Sequence, residues 1–281
     1  MASEIGVAVT MEPRQLGEFL RWKPVYPTPF ISGGILYPRN RLMLYGRYKA
    51  LKSMMFLALG RALACGQPWM GFDTPKEGIR VLYLQLEIPE LLLHKRMARM
   101  ELGWSATGSK RMGEVLRENF YVWTEPYMKL DHEPGIAALR QRIEAIKPAA
   151  ILIDPVYKII SGNILDPNHI RQFCDNIDVL LGDYELSVLL AHHARKSAIS
   201  EDSSYDLGSD DMLGAAVFSY WADTVIKIAK TGEKNNQIGL QLNFDVIRHA
   251  EEEIEPKAIV FDREDLMFRE GGQLVSVASR T

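Results

Sequence analysis

The chain has 281 residues, 47% of them apolar, enough for one large α/β domain or a domain with a small appendage. A formal net charge of −3 gives no global pull toward nucleic acid or an anionic membrane and leaves room for a local basic face. The only cysteines, Cys65 and Cys174, stand in no paired spacing, which argues against a disulfide framework or a cysteine zinc site and fits a reducing compartment.

The first residues, MASEIGVAVTMEPRQLGEFLRWK, have no basic start followed by an apolar run, so no signal peptide is expected. No stretch approaches the ~18 apolar residues of a membrane span. A soluble cytoplasmic protein is the expectation. Residues 1–24 read as a polar lead and a short amphipathic helix with Leu16, Phe19 and Leu20 on one side. PVYPTPFISGGILYPRN, rich in Pro and Gly, reads as an irregular connector.

RLMLYG is a short apolar run ending in Gly46, which suits a buried strand. KSMMFLALGRALACG is a helix apolar nearly all round, closed by Gly66. GIRVLYLQLE is a second buried strand, and PELLLHKRMARMELG a helix running from Pro89 to Gly103. FYVWTE reads as a strand, and GIAALRQRIEAIKP as a helix stopped by Pro148. AAILIDP, NHIRQFCDNIDVLLGDYE and LSVLLAHHARK follow as strand, helix and strand, and MLGAAVFSYWADTVIKIAK combines a short helix with a strand. TVIKIAK, QIGLQLNFDVIRH, AIVFDRE and LMFRE then read as antiparallel strands joined by turns such as TGEKNN. Alternating strands and helices predict an α/β fold: a mostly parallel twisted sheet, helices on both faces, and an antiparallel C-terminal extension.

Gly46-Arg47-Tyr48-Lys49-Ala50-Leu51-Lys52-Ser53 lies between the first strand and its helix. It is one residue from the phosphate-cradling pattern G-x-x-x-x-G-K-[ST], with Leu51 in place of the second glycine. Such a loop points backbone N–H groups at phosphate, with a helix N-terminus behind them, a lysine for the outer phosphates and a hydroxyl for Mg²⁺. A leucine forced to positive φ there would cost about 1–3 kcal/mol. The alternative is an ordinary strand-to-helix turn with solvated lysines.

Other strand ends carry matching chemistry. AAILIDP ends in Asp154, suited to Mg²⁺ or its water. VLYLQLE ends in Glu87, either a carboxylate to polarise an attacking water or a helix N-cap partner ahead of Pro89. LSVLLAHHARK carries His192 and His193 near its end, where a polar group can sense the outer phosphate. A shared metal is disfavoured because adjacent strand residues point to opposite faces and no third ligand is evident; the other reading of one of the pair is a core histidine.

Taken in order, GRYKALKS, VLYLQLE-IPE, AAILIDP and VLLAHHARKS resemble the RecA-like core of the RepA-type replicative helicases and their AAA_25 relatives, which are similar to the RadA and KaiC ATPases. MLGAAVFSYWADTVIKI and LNFDVIRHA extend the resemblance, which covers residues 30–250. It implies a RecA-like P-loop ATPase that uses ATP and Mg²⁺. Nucleotide would be held by Gly46, Arg47, Tyr48, Lys49, Ala50, Leu51, Lys52, Ser53 and Met54. Ser53 and Asp154 would hold the metal, Glu87 would be the catalytic glutamate, and His193 the sensor of the outer phosphate. Arg248, on the strand FDVIRHA, resembles the finger that reaches a neighbouring subunit's nucleotide; its other reading is an edge-strand arginine in solvent.

The resemblance further implies a homo-oligomer, a hexameric ring, with an arm over residues 1–29 and the ATPase domain over 30–281. Its work would be DNA-related, as in a helicase or a replication or recombination accessory. Single-stranded DNA would meet the loops at 157–168 and 195–213. The second loop has Arg195 and Lys196 but also Glu201, Asp202, Asp206, Asp210 and Asp211, a poor phosphate-binding composition. Leu51 departs from the family loop and puts strong turnover in doubt more than binding. The rival reading is a non-hydrolysing nucleotide-binding or scaffold protein on the same fold.

Overall fold

The structure, a computed structural model, describes residues 12–107, 109–194 and 215–271. Its centre is one nine-stranded sheet in the order β3-β2-β4-β5-β1-β6-β7-β8-β9. The strands are β1 (Arg41–Gly46), β2 (Val81–Gln85), β3 (Phe120–Thr124), β4 (Ala150–Asp154), β5 (Ser187–His193), β6 (Thr224–Lys234), β7 (Gln237–Ile247), β8 (Lys257–Asp262) and β9 (Phe268–Glu270). Pairing is parallel from β3 through β6 and antiparallel from β6 to β9. The mixed sheet expected from the alternating pattern is therefore the one observed.

The central strands are apolar runs because both of their faces are covered. Leu42 and Leu44 of β1 and Ala150 and Leu152 of β4 join one core cluster. Met43, Tyr45, Ile151 and Ile153, one residue out of phase, join the other. The first cluster is closed by Met55 and Leu59 of α2 (Lys52–Cys65) and by Leu93 and Met100 of α3 (Glu90–Thr107). The second is closed by Leu139 of α5 (Glu133–Ile146), Phe173 and Ile177 of α6 (Pro167–Asp183) and Phe218 of α7 (Ala215–Trp221). Both cysteines are buried and free. Among the described residues no helix is long and apolar enough to cross a membrane.

Some elements differ from the sequence reading. Helix α3 does not stop at Gly103 but runs on to Thr107. Gly103 is a contact glycine: a Cβ there would lie 2.3 Å from the Asp265 carbonyl oxygen, so its bare backbone lets α3 lie against the β8–β9 turn. A further helix, α4 (Lys110–Asn119), was not expected; Ser109 caps it by accepting from the Met112 N–H. It has no fully buried residue, yet Met112, Val115 and Leu116 stand at helical spacing and Leu116 packs on the first core cluster, a sign the sequence reading passed over. In the β6–β7 hairpin, TGEK belongs to β6, and the turn is only Asn235-Asn236, where Asn235 takes the left-handed conformation that asparagine tolerates.

Helix α1 (Leu16–Arg21) buries none of its residues. Leu16, Phe19, Leu20 and Trp22 are all exposed, so its apolar face has no cover within the described chain.

Candidate functional site

Parallel strands carry their loops to one edge, and ligands of such sheets bind outside the strands' carboxyl ends. At that edge β1 ends in Gly46, β4 in Asp154 and β5 in His193, while Glu87 lies two residues beyond β2. Parallel register sets Gln85 beside Asp154, and Gly46 beside His193. Four stretches far apart in sequence thus meet at one mouth.

The loop begins at Gly46 because nothing larger fits: a Cβ would sit 2.4 Å from the Ile228 carbonyl oxygen of β6. It then turns through two left-handed residues, Lys49 at φ 64° and Leu51 at φ 61°. Helix α2 starts at Lys52, and the Met55 N–H donates to the Leu51 carbonyl at 2.9 Å. Leu51 therefore takes the positive-φ conformation that a glycine would provide, at a cost of about 1–2 kcal/mol. Its side chain packs against the core cluster beneath α2, which offsets part of that cost. Tyr48 and Lys49 face solvent, and Ala50 is buried.

Lys52 is buried. Its Nζ donates to the Gly46 and Arg47 carbonyl oxygens, both at 2.9 Å, closing the loop on itself. Burial pulls its pKa down to about 8, against the opposing pull of Asp154 and Glu87. Asp154 is also buried, and desolvation pushes its pKa up; hydrogen bonds from Ser53, Tyr83 and Gln85 and the charge of Lys52 oppose the rise. Asp154 Oδ2 accepts from Tyr83 Oη at 2.7 Å and from Gln85 Nε2 at 3.2 Å. Gln85 Oε1 accepts from the N–H groups of Glu87 and Ile88, at 2.7 and 3.1 Å. One glutamine thus fixes the Asp154 carboxylate and the backbone that carries Glu87.

These groups line a cleft of about 1060 Å³ that continues between α3 and the β6–β8 sheet. Its wall adds Lys95, Arg96 and Arg99 from α3, Lys230 and Glu233 from β6, and Arg263 just past β8. Seven lining side chains are Lys or Arg against three Asp or Glu, a balance that favours anions over cations in the cleft. His193 lines the same cleft; burial first, and then the charge of Lys52, lower its pKa.

Residues 12–198 match the profile of AAA_25, described as an AAA domain. The chain belongs to the AAA_25 family. Among solved structures with a similar fold is the KaiC-like protein PH0186 from the hyperthermophilic archaeon Pyrococcus horikoshii OT3. It has a TM-score of 0.60 and 13% identity, covering 89% of this chain and 100% of that one. Another is a solved ATPase domain, with a TM-score of 0.60 and 12% identity over 83% of this chain and 85% of that one. These likenesses show the RecA-like fold. No curated protein matches by sequence.

In this AAA_25 chain the loop residues 46–54, Glu87, Asp154 and His193 come together as expected, and Arg248 does not. Strand β7 ends at Ile247, and Arg248 lies just beyond it, its N–H on the Asp223 carbonyl and its guanidinium donating to the Tyr220 carbonyl. Thr224 pairs with both Leu42 and Ile247, so Arg248 sits level with the start of β1. Gly46 is about five residues, or roughly 16 Å of strand, away. His192 is fully buried against Phe218, and His193 takes the site side, as alternation requires. The loop from Tyr157 is partly tied down: Val156–Lys158 form a 3₁₀ turn, and Ile159 and Ile160 are buried. The loop at 195–213 lies outside the described residues.

The sequence reading missed Tyr83, Gln85 and the basic face of α3. Polar residues inside an otherwise apolar strand, as in VLYLQ, are the signal that could have found the first two.

No described cluster of three or more His, Cys, Asp or Glu side chains could hold a metal by itself. Mg²⁺ does not require one, since it is commonly held by one or two carboxylates together with substrate phosphates. The Ser53 hydroxyl hydrogen-bonded to the buried Asp154 carboxylate fits that pattern.

Leu51→Gly tests the odd residue of the loop. Strain relief of about 1–2 kcal/mol is opposed by ~0.5–1 kcal/mol of added backbone entropy and by lost packing. Stability by thermal unfolding is therefore expected to stay within about 1 kcal/mol. Turnover should stay within a few-fold, because the loop already follows the path a glycine would take; a rise beyond about tenfold would show that the leucine obstructs phosphate.

Proposed function

We propose that the chain binds ATP with Mg²⁺ and hydrolyses it in the cleft above the 46–53 loop. The observation that carries this is the convergence of Lys52, Ser53, Glu87, Asp154 and His193 at one sheet edge, inside a cleft of positive balance. The loop N–H groups and the start of α2 receive phosphate, and Lys52 leaves the loop carbonyls to reach its outer oxygens. Ser53 and Asp154 would hold Mg²⁺, which supplies charge neutralisation across the phosphates. Glu87 takes the proton of the attacking water as general base. His193, which lines the same cleft as Lys52 and Glu87, would sense the outer phosphate.

The same proposal makes the chain a subunit of a ring, with a hexamer as the expected size. Arg248 stands at the wrong end of its own sheet for its own nucleotide, so a role in catalysis requires a neighbour's site. The uncovered apolar face of α1 fits an arm that docks on that neighbour. In this reading residues 1–29 are the arm and 30–281 the ATPase domain of a cytoplasmic motor acting on DNA in replication or recombination, as a helicase or an accessory. DNA contact would come through 157–168 and 195–213.

A non-hydrolysing nucleotide-binding or scaffold role is the second reading, favoured by the engagement of Lys52 with its own loop. ATP hydrolysis measured with Mg²⁺, with and without single-stranded DNA, separates the two. DNA-stimulated turnover is the expected result. Nucleotide binding without turnover would leave the scaffold reading standing.

A further inference from the structure

A glutamate in solvent is a poor general base unless something aims it. Its side chain has free torsions, and ordering a Glu costs up to about 2 kcal/mol of rotamer entropy. Glu87 is exposed. Among the described residues one side chain hydrogen-bonds to it: Tyr157 Oη donates to Glu87 Oε1 at 3.3 Å. The phenol ring also meets His193, with ring centroids 5.5 Å apart at 56°. Glu87, Tyr157 and His193 belong to the ends of β2, β4 and β5, which are consecutive in the sheet, so the contacts run across the mouth of the cleft.

The turn that carries Tyr157 is anchored in the core. Its 3₁₀ turn follows directly on β4, and Val156, Ile159 and Ile160 on either side are buried in the second core cluster. Lys129 Nζ donates to the Lys158 and Ile160 carbonyl oxygens, and the Leu130 N–H donates to the Ile159 carbonyl at 2.8 Å. Burial, then the charge of Glu87, push the phenol pKa up to about 12, so the hydroxyl stays protonated and donating throughout the neutral range.

We propose that Tyr157 is a positioning residue for Glu87: its hydroxyl, carried on a turn anchored in the core, holds the carboxylate at the mouth of the phosphate cleft beside His193. The inference rests on the reading of Glu87 as the base of ATP hydrolysis.

Tyr157→Phe removes the hydroxyl and keeps the ring against His193. The full chain is assayed as wild type, Tyr157→Phe, Glu87→Gln and the double variant, with thermal unfolding and the affinity for a non-hydrolysable ATP analogue measured for each. Tyr157→Phe is expected to lower kcat about tenfold while leaving KM, analogue affinity and unfolding midpoint unchanged. In the Glu87→Gln background the same change should cost nothing further, because the group it positions is gone. A purely structural role would move affinity or stability and would add to the Glu87→Gln loss. Unchanged kcat in Tyr157→Phe, or an equal loss in both backgrounds, overturns the positioning role and leaves the ATPase reading intact. A wild-type chain that binds the analogue but does not turn over ATP overturns the hydrolytic reading, and the inference with it.

Discussion

Glu87→Gln should lower kcat for ATP hydrolysis by about 10²–10⁴, the range attributed to a positioned general base. The substitution keeps size and shape and removes only the capacity to take a proton. Nucleotide affinity should hold, because Glu87 is exposed and the cleft's positive balance does not depend on it. Its backbone N–H is bonded to Gln85 Oε1, so the local backbone is fixed independently of the side chain. The check is a steady-state assay paired with an equilibrium titration of a non-hydrolysable analogue. A kcat within about tenfold of wild type would remove Glu87 from the role of base and favour direct attack by water without it.

Lys52→Ala should abolish measurable turnover and weaken triphosphate binding by about 10²-fold or more, since charge-assisted contacts to phosphate are among the strong ones and this one is partly desolvated. The unliganded fold should survive, because the lysine's own bonds are to its loop and its charge is costly to bury. Unfolding and binding titrations separate those two effects. Triphosphate affinity equal to wild type would show that the loop does not cradle phosphate.

Lys52 also gives binding a pH dependence whose sign follows from its depressed pKa. In the free chain Lys52 releases its proton near pH 8, whereas an unfolded lysine does so near ~10.4. For folding, the cost of burying the charged form is fully present below pH 8 and is relieved as pH rises between those values, so this group's contribution to stability improves there. For binding the sign is opposite. Phosphate needs the charged lysine, so above pH 8 each binding event must first take up a proton. Affinity should be flat below pH 8 and fall by up to about tenfold per pH unit above it. Titrations from about pH 6.5 to 9.5 test this; affinity that is flat across that whole range would place Lys52 away from the phosphate.

Much of this site was legible in the sequence because its elements announce themselves locally. Apolar runs ending in Gly46, Asp154 and His193 identify buried parallel strands, and a parallel sheet delivers the ends of all such strands to one edge. Knowing the strands was therefore enough to group the loop, Glu87, Asp154 and His193. Leu51 was harder. The sequence showed that it breaks the loop pattern, but only the backbone shows that it adopts φ 61° and recovers part of the cost by packing.

The sequence by itself determined the strands, most helices, the two-faced burial and the identity of the groups at the strand ends, because periodicity and chain punctuation are local properties. Tertiary structure alone decided which side chains serve those groups. Tyr83 and Gln85 hold Asp154 because β2 and β4 are neighbours in register, and Tyr157 meets both Glu87 and His193 because β4 lies between β2 and β5. It also placed Arg248 at the opposite end of the sheet from Gly46, and laid α3 across to the β8–β9 turn through Gly103. Such contacts join residues about 70 positions apart, as in Tyr83 with Asp154 and Tyr157 with Glu87. They are set by strand order, which no periodicity within a single element encodes.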